Sequence, residues 1–328
     1  MKVLITTVPF GDKDRRPMDM LEAVGAEIHV NPTGRKLTEL DLARMIETSD
    51  IVIAGTEPIT DLVLSKATRL KLISRVGIGL DNVDLLAARA RGVRVCYTPD
   101  APSPAVAELT IGLMIDLLRF IHVSNQRMRR GDWYRYFGRR LSEVTIGIVG
   151  VGRIGGRVLE HLAGFSCRRI LVNDIKSSVS VPSHPTCRIE HVDKDTLYRE
   201  SDVISFHVPL TGITRNLVTR KEMLSMKPGT VLVNTARGGI VNESNLFEVL
   251  ESGHLGGAAI DVFDREPYFG KLADLDQCLL TAHMGSMSID CRVRMEIEAT
   301  EEAVRMIRDE PLRSEVPQVE YENQSFAE

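Results

Sequence analysis

Three side chains suited to acid–base and anion-binding chemistry follow short apolar segments in the second half of the chain: Arg237, Glu266 and His283. Arginine can bind a carboxylate through two charge-assisted hydrogen bonds. Histidine exchanges protons near neutral pH, and a neighbouring carboxylate orients its ring and favours its charged form. Reduction of a 2-oxo acid needs both functions, a cation for the carboxylate and a proton donor for the new alkoxide. We therefore treat these residues as a candidate catalytic group.

A glycine motif lies upstream of this group, in the segment TIGIVGVGRIGG (145–156). Gly150, Gly152 and Gly155 match G-x-G-x-x-G, after an apolar strand and at the start of an amphipathic helix, which is the context that a dinucleotide site requires. The glycines allow a tight turn, close approach of the backbone to a pyrophosphate, and close packing of the helix on the strand. The helix N-terminus attracts the phosphates, and Arg153 is expected to add a side-chain contact.

Asp174 ends the next predicted strand, 24 residues after Gly150 (174 − 150). A carboxylate at this point is expected to bind the ribose hydroxyls and to repel a 2′-phosphate. The motif and the acid together predict NAD as the cofactor, with NADP less expected. No metal site is predicted.

The alternation of short apolar runs with amphipathic stretches predicts an α/β fold with parallel sheets and crossover helices. Because the glycine motif lies in mid-sequence, the simplest architecture is discontinuous: residues 1–100 and 285–328 form a substrate-binding domain, and residues 101–284 form an NAD-binding domain. One long helix is expected over 103–128, a last helix near 287–308, and a loosely packed tail from Asp309. Strands are predicted near 2–7, 26–30, 50–53, 71–75, 93–96, 145–149, 169–173, 202–206, 230–234, 257–261 and 278–282.

The composition excludes several classes of protein. The chain has 328 residues, a net charge of −4 and five scattered cysteines. No overall field attracts nucleic acid or a membrane surface, and no apolar run is long enough for a transmembrane helix or a signal peptide. Sparse cysteines without a C-x-x-C pair indicate reduced thiols and a cytoplasmic location. The basic, aromatic-containing stretch 127–140 is interpreted as a solvated or dimer-contact loop rather than a nucleic-acid site.

From about residue 45 to 305 the sequence resembles the D-isomer-specific 2-hydroxyacid dehydrogenases, in particular the phosphoglycerate dehydrogenase branch. The resemblance implies two doubly wound parallel-sheet lobes, a flavodoxin-like substrate lobe and a Rossmann NAD-binding lobe. It implies hydride transfer between NAD and C2 of a small D-2-hydroxy or 2-oxo acid, with phosphoglycerate-like acids among the candidates. The segments that carry it are SRVGIGLDNVD (74–84), AVAELTIGLM (105–114), GIVGVGRIGG (147–156), SDVISFHVPLT (201–211), MKPGTVLVNTARGGIV (226–241), GAAIDVFDREP (257–267) and LLTAHMGS (279–286).

The same resemblance implies roles for individual residues. Arg237 is similar to the family's substrate-orienting arginine, His283 to its acid/base, and Glu266 to the carboxylate paired with that histidine. Asp261 matches the acid that holds the nicotinamide carboxamide. Substrate contacts are implied for Arg75, Val76, Gly77 and Ile78, besides Arg237 and His283. Cofactor contacts are implied for Ile154, His207, Val208, Pro209, Thr214, Thr235, Ala236, His283 and Gly285, besides the residues of the glycine motif, Asp174 and Asp261.

A homodimer is implied as well, with the helix at 103–128 and the loop at 131–138 in the contact region. Two departures from the phosphoglycerate branch put that substrate in doubt. Glu57 stands in the loop where the branch has a basic residue for the phosphate, and we expect no C-terminal regulatory domain.

Three other functions were weighed. An L-specific dehydrogenase of the lactate/malate type is disfavoured because those chains begin with the nucleotide fold. A relative acting on formate or phosphite is disfavoured by Glu rather than Gln at 266. An NAD(H)-sensing scaffold of the same fold, with little turnover, stays as the alternative.

Overall fold

The computed structural model describes residues 1–176 and 187–325, without the side chain of Ser325. The strands of the described residues, in chain order, are β1 (Lys2–Ile5), β2 (Glu27–Val30), β3 (Ile51–Ala54), β4 (Leu72–Arg75), β5 (Arg94–Cys96), β6 (Thr145–Val149), β7 (Arg169–Asn173), β8 (Arg188–His191), β9 (Val203–Phe206), β10 (Val231–Asn234), β11 (Gly257–Ile260) and β12 (Cys278–Leu280). The α-helices are α1 (Arg16–Ala23), α2 (Glu39–Met45), α3 (Asp61–Lys66), α4 (Leu85–Ala90), α5 (Ser103–Arg119), α6 (Ile121–Arg129), α7 (Arg153–Ala163), α8 (Lys194–Glu200), α9 (Arg220–Ser225), α10 (Glu243–Glu251), α11 (Ile289–Ile307) and α12 (Gln318–Ser325).

The chain divides into two compact units, one made of Met1–Pro102 with Met287–Glu328 and the other of Ser103–Ser286. In the first unit the described strands form a parallel sheet of order β2-β1-β3-β4-β5, the flavodoxin-like order. Every residue of β3 and β4 is buried, as expected for strands covered by helices on both faces. This sheet confirms the predicted fold class of the first lobe.

The C-terminal part of the first unit packs more firmly than the sequence predicts. Helix α11 packs against β3 and β4, and the Ser74 hydroxyl donates to the Ala299 carbonyl over 2.7 Å. Beyond it, the Val316 N–H donates to the Val95 carbonyl over 2.9 Å, and Tyr321 on α12 is buried. The expectation of a loose tail is therefore wrong up to residue 325; residues 326–328 lie outside the described part.

In the second unit the described strands form a parallel sheet of order β12-β11-β10-β9-β6-β7-β8, which is the Rossmann order with one added strand. The predicted Rossmann lobe is confirmed, but β8 was not predicted. Its sequence, RIEH, has a single apolar residue, and its side chains are half-buried or exposed because it lies at the edge of the sheet. Hydrophobic pattern alone cannot identify such a strand.

The long helix predicted over 103–128 is two helices. Phe120 adopts a left-handed conformation (φ 54°) between α5 and α6. Asp116 stabilises this break, because its carboxylate accepts the His122 N–H over 3.1 Å and also contacts the His122 ring. Helix α5 packs against α7, β10 and β11 of its own unit, which explains why apolar residues occupy most of its circumference.

All five cysteines are buried, and none forms a disulfide. Burial raises the pKa of the Cys167 and Cys278 thiols to about 12 in each case, so neither thiol is a reactive thiolate at neutral pH. Among the described residues, the helices are all too short or too polar to cross a membrane.

Candidate active site

The three candidate catalytic residues follow three neighbouring strands of the second sheet. Strands β10, β11 and β12 are parallel, and Asn234, Ile260 and Leu280 are aligned at their carboxyl ends. Ligands of open α/β sheets bind at this edge. The order of the strands therefore places the turns that carry the candidate residues side by side at one edge of one sheet.

His283 and Glu266 form a hydrogen-bonded pair. Nδ1 of His283 lies 3.0 Å from Oε2 and 3.1 Å from Oε1 of Glu266. Oε1 also accepts the Phe263 N–H over 3.2 Å, which holds the carboxylate toward the ring. With Nδ1 bound to the carboxylate, Nε2 is the nitrogen left for proton exchange. Both side chains are partly exposed, 34% for His283 and 22% for Glu266, so a ligand can reach the pair.

A buried carboxylate holds the turn that carries His283. Asp261 accepts the Met284 N–H over 2.7 Å, the Gly285 N–H over 2.9 Å and the Thr281 hydroxyl over 2.6 Å. Its own carbonyl accepts the His283 N–H over 2.8 Å. Sequence reasoning named Asp261 and Gly285 only as cofactor contacts and missed Thr281. Whether Asp261 contacts the nicotinamide stays a prediction.

Arg237 lies in a turn that its neighbours fix. The Asn234 side chain donates to the Arg237 carbonyl over 2.9 Å and accepts the Ala236 N–H over 3.1 Å. Nη1 of Arg237 donates to the Ala236 carbonyl over 2.7 Å. The Thr235 hydroxyl lies 2.8 Å from that of Thr110 on α5, which ties the turn to the helix beneath it.

The glycine motif has the shape that the sequence predicts for a pyrophosphate site. Gly150 has φ +90°, and a Cβ on Gly155 would lie 2.0 Å from the Gly150 carbonyl oxygen, so both positions require glycine. Among the described residues, no heavy atom lies within 4 Å of the position of a Cβ on Gly152, and no side chain caps α7. The open backbone and uncapped helix N-terminus, which begins at Arg153 and Ile154, suit a bound phosphate.

Asp174 lies next to this turn. Its carboxylate accepts the Val151 N–H over 2.8 Å and the Lys176 N–H over 2.9 Å. The acid predicted to bind the ribose thus also fixes the glycine turn. The residues of this edge fit NAD, and a phosphate on the ribose would meet a carboxylate.

The segment after β9 borders the glycine turn from the other side. A Cβ on Gly150 would lie 2.6 Å from the His207 carbonyl oxygen and 2.8 Å from the Val208 side chain. The His207 ring lies 2.9 Å from the Ser205 hydroxyl, and burial lowers the pKa of His207 to about 3, so the ring is neutral near pH 7. The Thr214 hydroxyl donates to the Pro209 carbonyl over 2.6 Å, which closes the loop.

The predicted substrate residues of the first unit follow β4. Arg75 is buried, donates from Nε to Asn82 over 3.2 Å and contacts the Val76 carbonyl. The Gly77 N–H donates to the Thr98 hydroxyl over 2.8 Å. Arg75 therefore supports the backbone of its own loop, and the substrate role of Arg75, Val76, Gly77 and Ile78 stays a prediction.

Comparison with known proteins agrees with this geometry. Residues 111–285 match the family model described as "D-isomer specific 2-hydroxyacid dehydrogenase, NAD binding domain". The chain is 36% identical over 276 residues to a hydroxypyruvate reductase of Thermotoga maritima, covering 82% of this chain and 88% of that protein. It is 35% identical over 318 residues to a D-3-phosphoglycerate dehydrogenase of Methanocaldococcus jannaschii, covering 94% of this chain but 58% of that longer protein.

Solved structures are similar over nearly the whole chain. The TT0316 protein of Thermus thermophilus is 32% identical with a TM-score of 0.86, covering 97% of this chain and 100% of that one. A glyoxylate reductase of Paecilomyes thermophila is 26% identical with a TM-score of 0.83, covering 97% and 99%. The chain belongs to the D-isomer-specific 2-hydroxyacid dehydrogenase family and is an NAD-dependent dehydrogenase of that family.

Proposed function

We propose that this enzyme transfers a hydride between NAD and C2 of a small D-2-hydroxy or 2-oxo acid, with Arg237, Glu266 and His283 as the catalytic group. The observation that carries the proposal is the His283–Glu266 pair, with 3.0 Å between Nδ1 and Oε2, at the strand edge that also carries Arg237 and the glycine turn. A proton donor and a cation beside a nicotinamide site are what the reduction of a 2-oxo acid needs.

NAD, when bound, supplies or accepts the hydride. Arg237 binds the substrate carboxylate and orients the carbonyl carbon. In reduction, protonated His283 donates the proton on Nε2 to the carbonyl oxygen as it becomes an alkoxide. In oxidation, neutral His283 accepts the hydroxyl proton at the same atom. Glu266 holds Nδ1 and stabilises the imidazolium in both directions.

The substrate is proposed to carry no phosphate. The loop after β3 contains Glu57, which is buried, accepts the Gly55 N–H over 2.9 Å and contacts the Thr6 hydroxyl. Within the described residues of this loop, 55–60, there is no lysine or arginine to bind a phosphate. Like charges at a binding site cost several kcal/mol of affinity, so glyoxylate and hydroxypyruvate fit better than phosphohydroxypyruvate.

The test is a panel of 2-oxo acids with NADH, followed by nicotinamide absorbance and chiral analysis of the product. We expect turnover of glyoxylate or hydroxypyruvate to a D-2-hydroxy acid, with kcat/KM about tenfold or more above that for phosphohydroxypyruvate. A preference for phosphohydroxypyruvate would overturn the choice of substrate. Absence of turnover on the whole panel, with NADH bound, would overturn the proposed reaction and favour a sensing role.

We also propose a homodimer formed through the segment around α6 and the following loop. Trp133 and Phe137 in that loop are 76% and 100% exposed, and large exposed aromatic side chains are typical of interfaces. Analytical ultracentrifugation should give twice the chain mass, and a Trp133→Ser, Phe137→Ser double variant should shift the protein toward monomer. A monomeric wild-type protein at micromolar concentration would reject the dimer.

A further inference from the structure

Glu243, the first residue of α10, binds the loop that carries Glu266. Its Oε1 accepts the Asp264 N–H over 2.7 Å. The preceding N–H, that of Phe263, donates to Glu266 over 3.2 Å. Two successive peptide N–H groups of one loop therefore bind two different glutamates, and one of these glutamates is hydrogen-bonded to His283.

The same stretch of backbone also contacts the turn that carries Arg237. A Cβ on Gly238 would lie 2.0 Å from the carbonyl carbon and oxygen of Phe263 and 2.3 Å from the Asp264 nitrogen. The two turns are thus in direct backbone contact. The peptide between Phe263 and Asp264 connects the cation to the Glu266 loop, and Glu243 fixes that peptide from the side of α10.

The charge of Glu243 acts in the same place. The carboxyl is partly buried, and burial raises its pKa, with the negative charges of Asp264 and Glu266 adding to the effect. Electrostatic interaction is mutual, so ionised Glu243 also acts on Glu266 and on the proton of its histidine partner. The charged and titratable groups that surround Glu243 are Arg215, Asp264, Glu266, Tyr268, Lys271 and Asp274.

Arg215 does not cancel this field. It pairs with Asp264 over 3.1 Å, with both side chains more than half exposed. The carboxylates of Glu243 and Glu266 therefore leave net negative charge beside the imidazole.

We propose that Glu243 is a positioning residue for the hydride-transfer reaction, which clamps the 263–264 peptide and adds a second negative charge that helps to retain the proton on His283. The inference rests on the proposed roles of His283 and Glu266. It assigns Glu243 no contact with substrate or cofactor.

The experiment compares Glu243→Gln and Glu243→Ala by the pH dependence of kcat for 2-oxo acid reduction at saturating NADH. Glutamine keeps the acceptor for the Asp264 N–H and removes the charge, whereas alanine removes both. Glu248→Gln is the matched control, because Glu248 lies on the same helix, is about half exposed and contacts only a distant arginine at 3.9 Å in its printed ion pair. NADH binding by fluorescence shows that each variant is folded.

We expect the basic limb of the profile to move to lower pH by about half a unit in Glu243→Gln, because the imidazolium loses its proton more easily. The plateau kcat of that variant should stay within about twofold of wild type. Glu243→Ala should show the same shift and a plateau about tenfold lower, because the clamp is lost as well. Glu248→Gln should match wild type.

Profiles of Glu243→Gln and Glu243→Ala that superimpose on the wild-type profile would overturn the inference. If Glu243→Ala fails to fold, the shift in Glu243→Gln decides alone. A His283→Ala variant separates the two levels of the proposal. Full activity in that variant would reject the proposed acid/base, whereas lost activity there with an unshifted Glu243→Gln profile would reject only the role of Glu243.

Discussion

Proton transfer by His283 requires a ring of fixed orientation, and the backbone helps to fix it. His283 has φ 51°, a left-handed conformation that costs a non-glycine residue about 1–2 kcal/mol. Asp261 offsets this cost, because its carboxylate binds the two N–H groups that follow the histidine and its carbonyl binds the histidine N–H. The geometry of the acid/base thus depends on a residue that does not touch its ring nitrogens.

We predict that Asp261→Asn lowers both stability and turnover. The amide turns a donor toward the N–H groups of Met284 and Gly285, and it removes a charged acceptor from a fully buried site. The free energy of unfolding should fall by about 2–3 kcal/mol, and kcat should fall about tenfold or more. Thr281→Val, which removes one donor and leaves the carboxylate, should cost only about 1 kcal/mol. Wild-type kcat in Asp261→Asn would show that the turn does not depend on this carboxylate.

Arg237 provides a second prediction. Arg237→Lys keeps the positive charge and removes the planar pair of donors, so the KM for the 2-oxo acid should rise about tenfold or more while the Kd for NADH stays the same. Steady-state kinetics and NADH fluorescence titration give the two constants. Arg220→Lys, on the exposed surface of α9, serves as the control. A weaker affinity for NADH with unchanged KM would place Arg237 at the cofactor instead.

The sequence predicted the residues with distinctive chemistry and missed those that support them. Arg237, Glu266 and His283 stand out because each follows an apolar strand and each has a type suited to the reaction. Thr281 and Glu243 do not stand out, since a threonine before a loop and a glutamate in the first turn of a helix are ordinary. Their partners are 20 and 21 residues away in sequence, and only the folded chain shows the contact.

The β6–α7 element makes the phosphate site by close contact between strand and helix. We predict that Gly155→Ala abolishes measurable NADH binding or weakens it by about a hundredfold, because the added Cβ would lie 2.0 Å from the Gly150 carbonyl oxygen and must push α7 off the strand. Gly164→Ala at the other end of α7 is the control, since its Cβ would approach other atoms no closer than 3.4 Å. Equal NADH affinities in the two variants would contradict the assignment of the glycine turn. The measurement is fluorescence titration of NADH.

Asp202 links elements at the opposite edge of the same sheet. Its carboxylate accepts the Thr145 N–H over 2.8 Å and lies 3.3 Å from Nζ of Lys227. Burial by itself would raise the pKa of Asp202, but these contacts and Arg139 outweigh it, so the pKa is lowered. A carboxyl with a lowered folded pKa stabilises the protein above its unfolded pKa of about 4, and this contribution is lost as the pH falls through the folded value.

We therefore predict that Asp202→Asn costs about 1–3 kcal/mol at pH 7 and progressively less at acid pH. Urea unfolding at pH 7, 5 and 3 would show the stability curves of variant and wild type converging. A constant difference across these pH values would contradict the electrostatic origin of the effect. Glu143→Gln, near the same edge but fully exposed, is a suitable control.

Elements with a strong apolar pattern were predicted, and elements defined by position were not. Strand β8 is an edge strand with polar side chains, so its sequence lacks the apolar run that identified its neighbours. The break between α5 and α6 depends on the left-handed Phe120 and on Asp116, contacts that hydrophobic spacing does not encode. Helix α12 was missed because its sequence, QVEYENQS, is mostly polar, although Tyr321 is buried in the first unit.

In the chain as a whole, the first unit is completed only by residues that come after the second. Met295, Ala299 and Ala303 on α11 are buried in the first unit, whereas the second unit is continuous from Ser103 to Ser286. The position of the glycine motif predicted this discontinuous arrangement. We predict that a fragment of residues 1–286 retains NADH binding while its first 102 residues become sensitive to protease. Resistance of that segment would mean that α11 is dispensable for the first unit.

The most direct measurement is the pre-steady-state rate of NADH oxidation by His283→Ala with glyoxylate or hydroxypyruvate, at saturating NADH and in parallel with a titration of NADH affinity. If His283 donates the proton, the rate should fall by about 10²–10⁴, the usual contribution of a general acid, while the Kd for NADH stays within about twofold of wild type. A His283→Ala enzyme that oxidises NADH at the wild-type rate would contradict the central role given to the His283–Glu266 pair.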